Sequence, residues 1–163
     1  MFKCKVKDLL EHKEWLPVIN ENLKELNPDL PTLRKYLAKR SVYSDSKAIL
    51  LLDKEGEMIA HCWYDLPSEF TYGWMQEIDH TAILPPLDKT MVLLNLATSR
   101  EYRGKGYGKI IVDEMVRDIL RNETWCLHII ANTEQAGRRF YVSKCGFRTI
   151  ASIKDDVLVV KDV

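Results

Sequence analysis

Residues 95 to 109 read Asn95-Leu96-Ala97-Thr98-Ser99-Arg100-Glu101-Tyr102-Arg103-Gly104-Lys105-Gly106-Tyr107-Gly108-Lys109, with glycine at three alternate positions. An apolar run, Met91 to Thr98, precedes the glycines and predicts a buried strand. After them Ile111, Val112, Met115, Val116 and Ile119 fall on one helical face, with Asp113, Glu114, Arg117 and Arg121 on the other. Glycine admits positive φ, so backbone N–H groups at 104, 106 and 108 can turn inward as an anion nest. The turn opens directly into a helix N-terminus, where unsatisfied N–H groups and the macrodipole favour phosphate. Arg103, Lys105 and Lys109 add positive charge. Strand, basic glycine turn and amphipathic helix together make a pyrophosphate cradle.

Two familiar phosphate loops do not fit. A P-loop needs Gly-Lys followed by Ser or Thr, and Gly108-Lys109 is followed by Ile110. The dinucleotide fingerprint needs a third glycine at position 109, which is Lys.

Working outward, Phe2 to Val6 predicts a short strand and Leu16 to Leu26 a helix carrying Leu16, Ile19, Leu23 and Leu26 at helical spacing. Pro31 is expected to open a second helix reaching Arg40. Ala48 to Leu52 and Met58 to Trp63 form a hairpin around Asp53-Lys54-Glu55-Gly56. Residues 65 to 90 carry Pro67, Pro85 and Pro86 among aromatics and acids and show no clear period, so the stretch is either a functional connection or holds elements without a local signal. Trp125 to Ala131 predicts a strand and Glu134 to Lys144 a helix closed by Gly146. Arg148 to Ile153 and Val157 to Val160 make a last hairpin. The order is β-α-α-β-β-β-α-β-α-β-β: an α/β (α+β) architecture with a mixed central sheet flanked by helices.

Composition sets the class. A length of 163 residues suggests one domain over 1–163, and 24 Lys plus Arg against 24 Asp plus Glu leaves no net charge. No basic face or stacking motif accompanies the loop, so nucleic acid is not an expected partner. No apolar run approaches the ~18 residues of a membrane span, and Met1 to Asp8 alternates where a secretory signal would be continuous. A cytoplasmic protein without a membrane partner is expected. The four cysteines are scattered without a C-x-x-C pair, so no metal site is expected; Cys62 and Cys126 read as small core residues.

The string Arg103-Gly104-Lys105-Gly106-Tyr107-Gly108 resembles the acetyl-CoA pyrophosphate loop of the GNAT superfamily of N-acetyltransferases, [QR]-x-x-G-x-[GA]. Lys144-Cys145-Gly146-Phe147 resembles that family's K-x-G-F closure, and the element order is the family's own. The resemblance implies acetyl-CoA as co-substrate. It places backbone pairing to the pantetheine arm on Leu96, Ala97 and Thr98, one N–H there polarising the thioester carbonyl. The pyrophosphate falls on Gly104, Lys105, Gly106, Tyr107, Gly108 and Lys109. Catalysis would be direct attack by an amine in a ternary complex, the enzyme positioning the reactants and moving protons.

The family's acid is a tyrosine four residues before the closing glycine. Here that count lands on Val142, and Tyr141 stands one residue early. Either a local bulge restores the geometry or the chain works without a tyrosine acid. For the family's pantetheine-binding asparagine the count gives Gln135, with Asn132 as the other candidate. For a general base Glu77, Asp79, His80, His128 and ordered water all remain open.

Residues 65 to 90, with Glu69, Phe70, Tyr72 and Trp74, would form part of an acceptor wall or a dimer interface. The acceptor would be a primary amine, on a small molecule, a polypeptide N-terminus or a lysine, and the family resemblance implies a homodimer. The competing class is a non-catalytic acyl-CoA-binding or regulatory module that keeps the loop without the chemistry.

Overall fold

The computed structural model describes residues 1–163, the side chains of residues 69 and 70 excepted. Its strands make a mixed seven-stranded sheet in the order β1-β2-β3-β4-β5-β7-β6, flanked by helices. The chain divides into two compact units, residues 1–64 with 95–111, and residues 65–94 with 112–163.

In the first unit β1 (Phe2–Lys5) runs antiparallel to β2 (Lys47–Leu52), which pairs antiparallel with β3 (Met58–Asp65) from Lys47↔Tyr64 to Leu52↔Met58. Asp53 Oδ1 accepts the N–H groups of Glu55 and Glu57, each at 2.9 Å, which closes the hairpin turn between them. α1 (Leu16–Leu26) matches the predicted span and buries Ile19, Asn22 and Leu23. α2 (Leu33–Lys39) starts later than the sequence suggests, because the Thr32 side chain accepts the Lys35 N–H and caps it; Pro31 lies outside the helix. Val6–Glu11 forms a 3-10 turn in place of the last predicted residue of β1.

In the second unit α3 (Glu69–Ile78) lies in the stretch that the sequence left open between a connection and further elements. Ser68 accepts the Thr71 N–H at 3.1 Å and starts the helix; Met75 is buried against Val92, Ile130, Ala151 and Leu158. This extra helix corrects the predicted order to β-α-α-β-β-α-β-α-β-α-β-β. β4 (Thr90–Thr98) pairs in parallel with β5 (His128–Glu134) over Thr90↔His128 to Leu93↔Ala131. β5 starts at His128, not Trp125, because the Trp125 indole and the Cys126 N–H both turn back to Glu123. β5 then pairs antiparallel with β7 (Asp156–Asp162), and β7 with β6 (Arg148–Ile153).

α4 (Tyr107–Asn122) buries Ile111, Val112, Met115 and Ile119 as its period predicts. The predicted last helix is α5 (Gln135–Arg139) followed by a π-helical turn, Phe140–Lys144. Cys62 and Cys126 are buried, and the four cysteines form no disulfide. Among the described residues no helix is long and apolar enough to cross a membrane.

Candidate functional site: the glycine loop and its supports

Gly104 and Gly106 adopt φ of +75° and +86°, the left-handed region that a side chain disfavours. Nothing lies within 4 Å of a Cβ built on either, so backbone conformation and not crowding requires glycine there. The loop from Arg103 to Gly106 is exposed, and Tyr107 and Gly108 open α4. The Gly106 carbonyl accepts the N–H groups of Lys109 (3.1 Å) and Ile110 (3.3 Å). Ahead of these two bonds Tyr107 and Gly108 open the helix, where N–H groups have no acceptor within it.

The base of the loop is fastened at three places within the first unit. Ser99 donates from its N–H to the Ile59 carbonyl (2.8 Å) and from its hydroxyl to the Met58 carbonyl (2.7 Å). The Tyr102 hydroxyl donates to Asp53 Oδ2 at 3.0 Å, and that bond holds the phenol above its ordinary pKa. Arg103 donates from Nε to the Thr98 carbonyl (3.0 Å) and forms an ion pair with Glu25 (2.7 Å). Arg100 reaches the other oxygen of the same carboxylate at 2.9 Å. Arg103 and then Arg100 hold the Glu25 carboxyl below the usual range. Arg103 is therefore a tie within the protein as well as a positive charge. Lys105 lies 5.6 Å above the Tyr102 ring, whose edge meets Tyr107 at 5.9 Å. None of these supports has a local sequence signal.

Leu96, Ala97 and Thr98 end β4 half-buried. Beside them Asn95, which the sequence reading left unassigned, is buried with its side-chain oxygen unpartnered.

The second unit carries the other predicted residues. Asn132 lies within β5 and not at a helix start; its Nδ2 meets Asp156 at 3.4 Å while its side-chain oxygen is buried and unpartnered. Gln135 does open α5, and its amide donates to Ser152 Oγ (2.6 Å) and the Lys154 carbonyl (3.4 Å), which ties it to the β6–β7 turn.

Tyr141 is buried, edge-on to Phe140 and Phe147. In a regular helix closed by Gly146, the Phe147 N–H would bond the carbonyl of Val142. It bonds Tyr141 instead, at 3.0 Å, because the π turn holds one extra residue. The tyrosine thus takes the backbone place that the count assigns to position 142, and Val142 faces outward. The segment before Gly146 thus contains a local bulge, the π turn.

The base candidates divide. Asp79 accepts the Thr81 hydroxyl (2.7 Å) and N–H (2.8 Å), which hold its carboxyl low. His128 pairs with Asp162 at 2.9 Å and lines an open groove of about 550 Å³ with the 81–86 loop and Arg148. Glu77 and His80 are exposed. Trp74 is 42% exposed, while the Tyr72 hydroxyl is spent on the Pro85 carbonyl. The parts expected of Glu69 and Phe70 lie outside the described residues.

Comparison with known proteins bears on the family and the fold. The model of the acetyltransferase (GNAT) family matches residues 13–147. Ribosomal-protein-alanine N-acetyltransferase from Brucella melitensis superposes with a TM-score of 0.66 at 15% identity, covering 100% of both chains. Aminoglycoside 6'-acetyltransferase type Ii gives 0.65 at 10% identity, over 99% of this chain and 97% of its own. A GNAT-family acetyltransferase from Listeria monocytogenes 4b F2365 gives 0.65 at 16%, over 99% and 94%. At such identities the likeness is one of fold, and no curated protein matches the sequence. The family match covers most of the chain and includes the glycine loop and the Gly146-Phe147 closure, so the chain belongs to the GNAT acetyltransferase family.

Proposed function

We propose that this chain, acting as one unit over residues 1–163, is an N-acetyltransferase that transfers the acetyl group of acetyl-CoA to a primary amine. The observation that carries the reading is the glycine loop: positive φ at Gly104 and Gly106, open space around both, and the start of a sixteen-residue helix immediately after. The N–H groups from Gly104 to Gly108 hold the pyrophosphate, with the Lys105 and Lys109 side chains supplying charge. Leu96, Ala97 and Thr98 offer backbone groups to the pantetheine arm. Asn95, beside them in the first unit, holds a buried carbonyl oxygen without a partner, which suits an amide N–H of that arm.

Bound acetyl-CoA supplies the activated thioester. This chain's residues orient it, exclude water and move protons. Tyr141 protonates the departing thiolate, a role supported by the extra residue of the π turn in which it lies. The attacking amine loses its proton through ordered water or one of the exposed groups Glu77 and His80, since Asp79 and His128 are engaged within the fold. That same engagement favours the second reading, an acyl-CoA-binding module without turnover.

Calorimetric titration with acetyl-CoA, beside an Arg103→Ala plus Gly106→Asp double variant, tests the reading. Binding by the wild type and its loss in the variant are expected, followed by CoA release with an amine panel. Binding without turnover across that panel selects the module. A folded wild type that does not bind acetyl-CoA overturns both readings.

A further inference from the structure

The glycine loop does not hold itself. Its base is gripped from α1 by one carboxylate, 75 and 78 residues away in sequence from its two partners. Glu25 Oε1 takes Arg100 and Oε2 takes Arg103, so one side chain spans both ends of the 3-10 turn Arg100–Tyr102 that leads into Gly104. Glu21, one helical turn earlier, adds a longer contact to Arg100 at 3.8 Å. Arg103 is also fixed by its Nε bond to the Thr98 carbonyl, which leaves its guanidinium little freedom to swing. A planar fork bonded on two sides is the arrangement that sets direction, beyond supplying charge.

We propose that Glu25 is a positioning residue for the cofactor loop: by bridging Arg100 and Arg103 it aligns the N–H groups that follow, and so sets affinity for the acyl-CoA pyrophosphate. This rests on the reading of residues 103–109 as the cofactor cradle. Electrostatics alone would predict the opposite sign, because Glu25 places a negative charge beside a polyanion's site. The two accounts therefore part on one measurement. If alignment dominates, removing the carboxylate weakens acetyl-CoA binding. If repulsion dominates, removal strengthens it.

The test uses Glu25→Ala, with Glu25→Gln and Arg100→Ala as milder companions that remove one charge or one arm. Without any ligand, amide hydrogen exchange across residues 99–109 is expected to quicken at least fivefold in Glu25→Ala, while β2 and β3 keep wild-type protection. Calorimetry should then give an acetyl-CoA Kd about tenfold weaker, and kinetics a raised KM for acetyl-CoA with kcat at saturation unchanged. A Kd equal to or tighter than wild type overturns the proposal. So does unchanged loop exchange, or faster exchange spread over the whole first unit. Should Glu25→Ala fold poorly, Glu25→Gln carries the same comparison of affinities, and Arg100→Ala repeats the loop-exchange measurement. Failure of the wild type to bind acetyl-CoA would strike the cofactor reading, whereas the ligand-free exchange still decides whether Glu25 orders the loop.

Discussion

The N–H of Phe147 donates to the carbonyl of Tyr141 across six residues, one more than an ordinary glycine-closed helix end spans. The surplus residue lies in the π turn Phe140–Lys144. Deleting Ser143, which is exposed, should convert that turn to α-helix and leave Tyr141 as the carbonyl that Phe147 reaches. The deletion variant is expected to melt within a few degrees of wild type and to keep its acetyl-transfer rate within threefold. Tyr141→Phe should instead lower kcat about a hundredfold, the lower range for loss of a general acid, with acetyl-CoA affinity within threefold. A deletion variant that folds but loses turnover would show that the π turn does more than reset the register.

A side chain at Gly106 meets no neighbour but must adopt φ of +86°. Gly106→Ala should therefore cost about 1 kcal/mol in urea denaturation, the strain of a left-handed residue. Its acetyl-CoA affinity should fall at least tenfold, because relaxation of that φ turns the loop N–H groups away. Calorimetry and denaturation on one sample separate the two effects.

Acid should destabilise the fold through one histidine. His61 is fully buried, with one ring nitrogen 3.2 Å from Asn22 Nδ2, stacked on Trp63, and its other ring nitrogen unpartnered. Burial pushes its pKa from 6.5 down to about 4. Above pH 6.5 neither state holds this proton. Between 6.5 and 4 the unfolded chain takes it and the folded chain does not, so stability falls with pH by about 3 kcal/mol and levels off below 4. Urea midpoints at pH 7, 5.5 and 4.5 measure the slope, and His61→Phe should flatten most of it. Carboxylates held low, such as Asp53 and Asp162, lose their contribution at lower pH.

Gly137 answers a different constraint. A Cβ there would collide with the hydroxyl of Thr133 on β5. Gly137→Ala should lower stability by about 1–3 kcal/mol, as overpacking does. In a Thr133→Val background a methyl takes the place of the hydroxyl and still blocks the site, whereas Thr133→Ala should recover most of the loss. Thermal melts of the single and double variants decide this.

Elements with strong local signals were readable from the chain alone. α1 has its predicted ends because Leu16, Ile19 and Leu23 repeat cleanly and Asn27-Pro28 stops the helix. The glycine loop was legible because positive φ is a demand of single residues. α3 escaped: Gly73 and polar residues dilute its period, Pro67 suggests a break, and among its described apolar side chains only Met75 is deeply buried. Its one readable mark was Ser68 three residues before Thr71, a cap without a hydrophobic run behind it. β5 reaches Glu134 because β7 supplies backbone partners as far as Asp156, which no property of Asn132-Thr133-Glu134 announces. The grip of Glu25 on Arg100 and Arg103 was invisible for the same reason: partners 75 or more residues apart are chosen by the fold.

The β2–β3 turn looks like an ordinary surface hairpin end, the sort of place where an epitope or a fluorescent-protein insertion is usually tolerated. Here Asp53 anchors Tyr102, and the Gly56 carbonyl accepts the Trp15 indole N–H at 2.9 Å. The turn is a buckle joining three distant parts of the chain. Lengthening it would slacken the glycine loop from behind, so grafts and tags belong elsewhere on this protein.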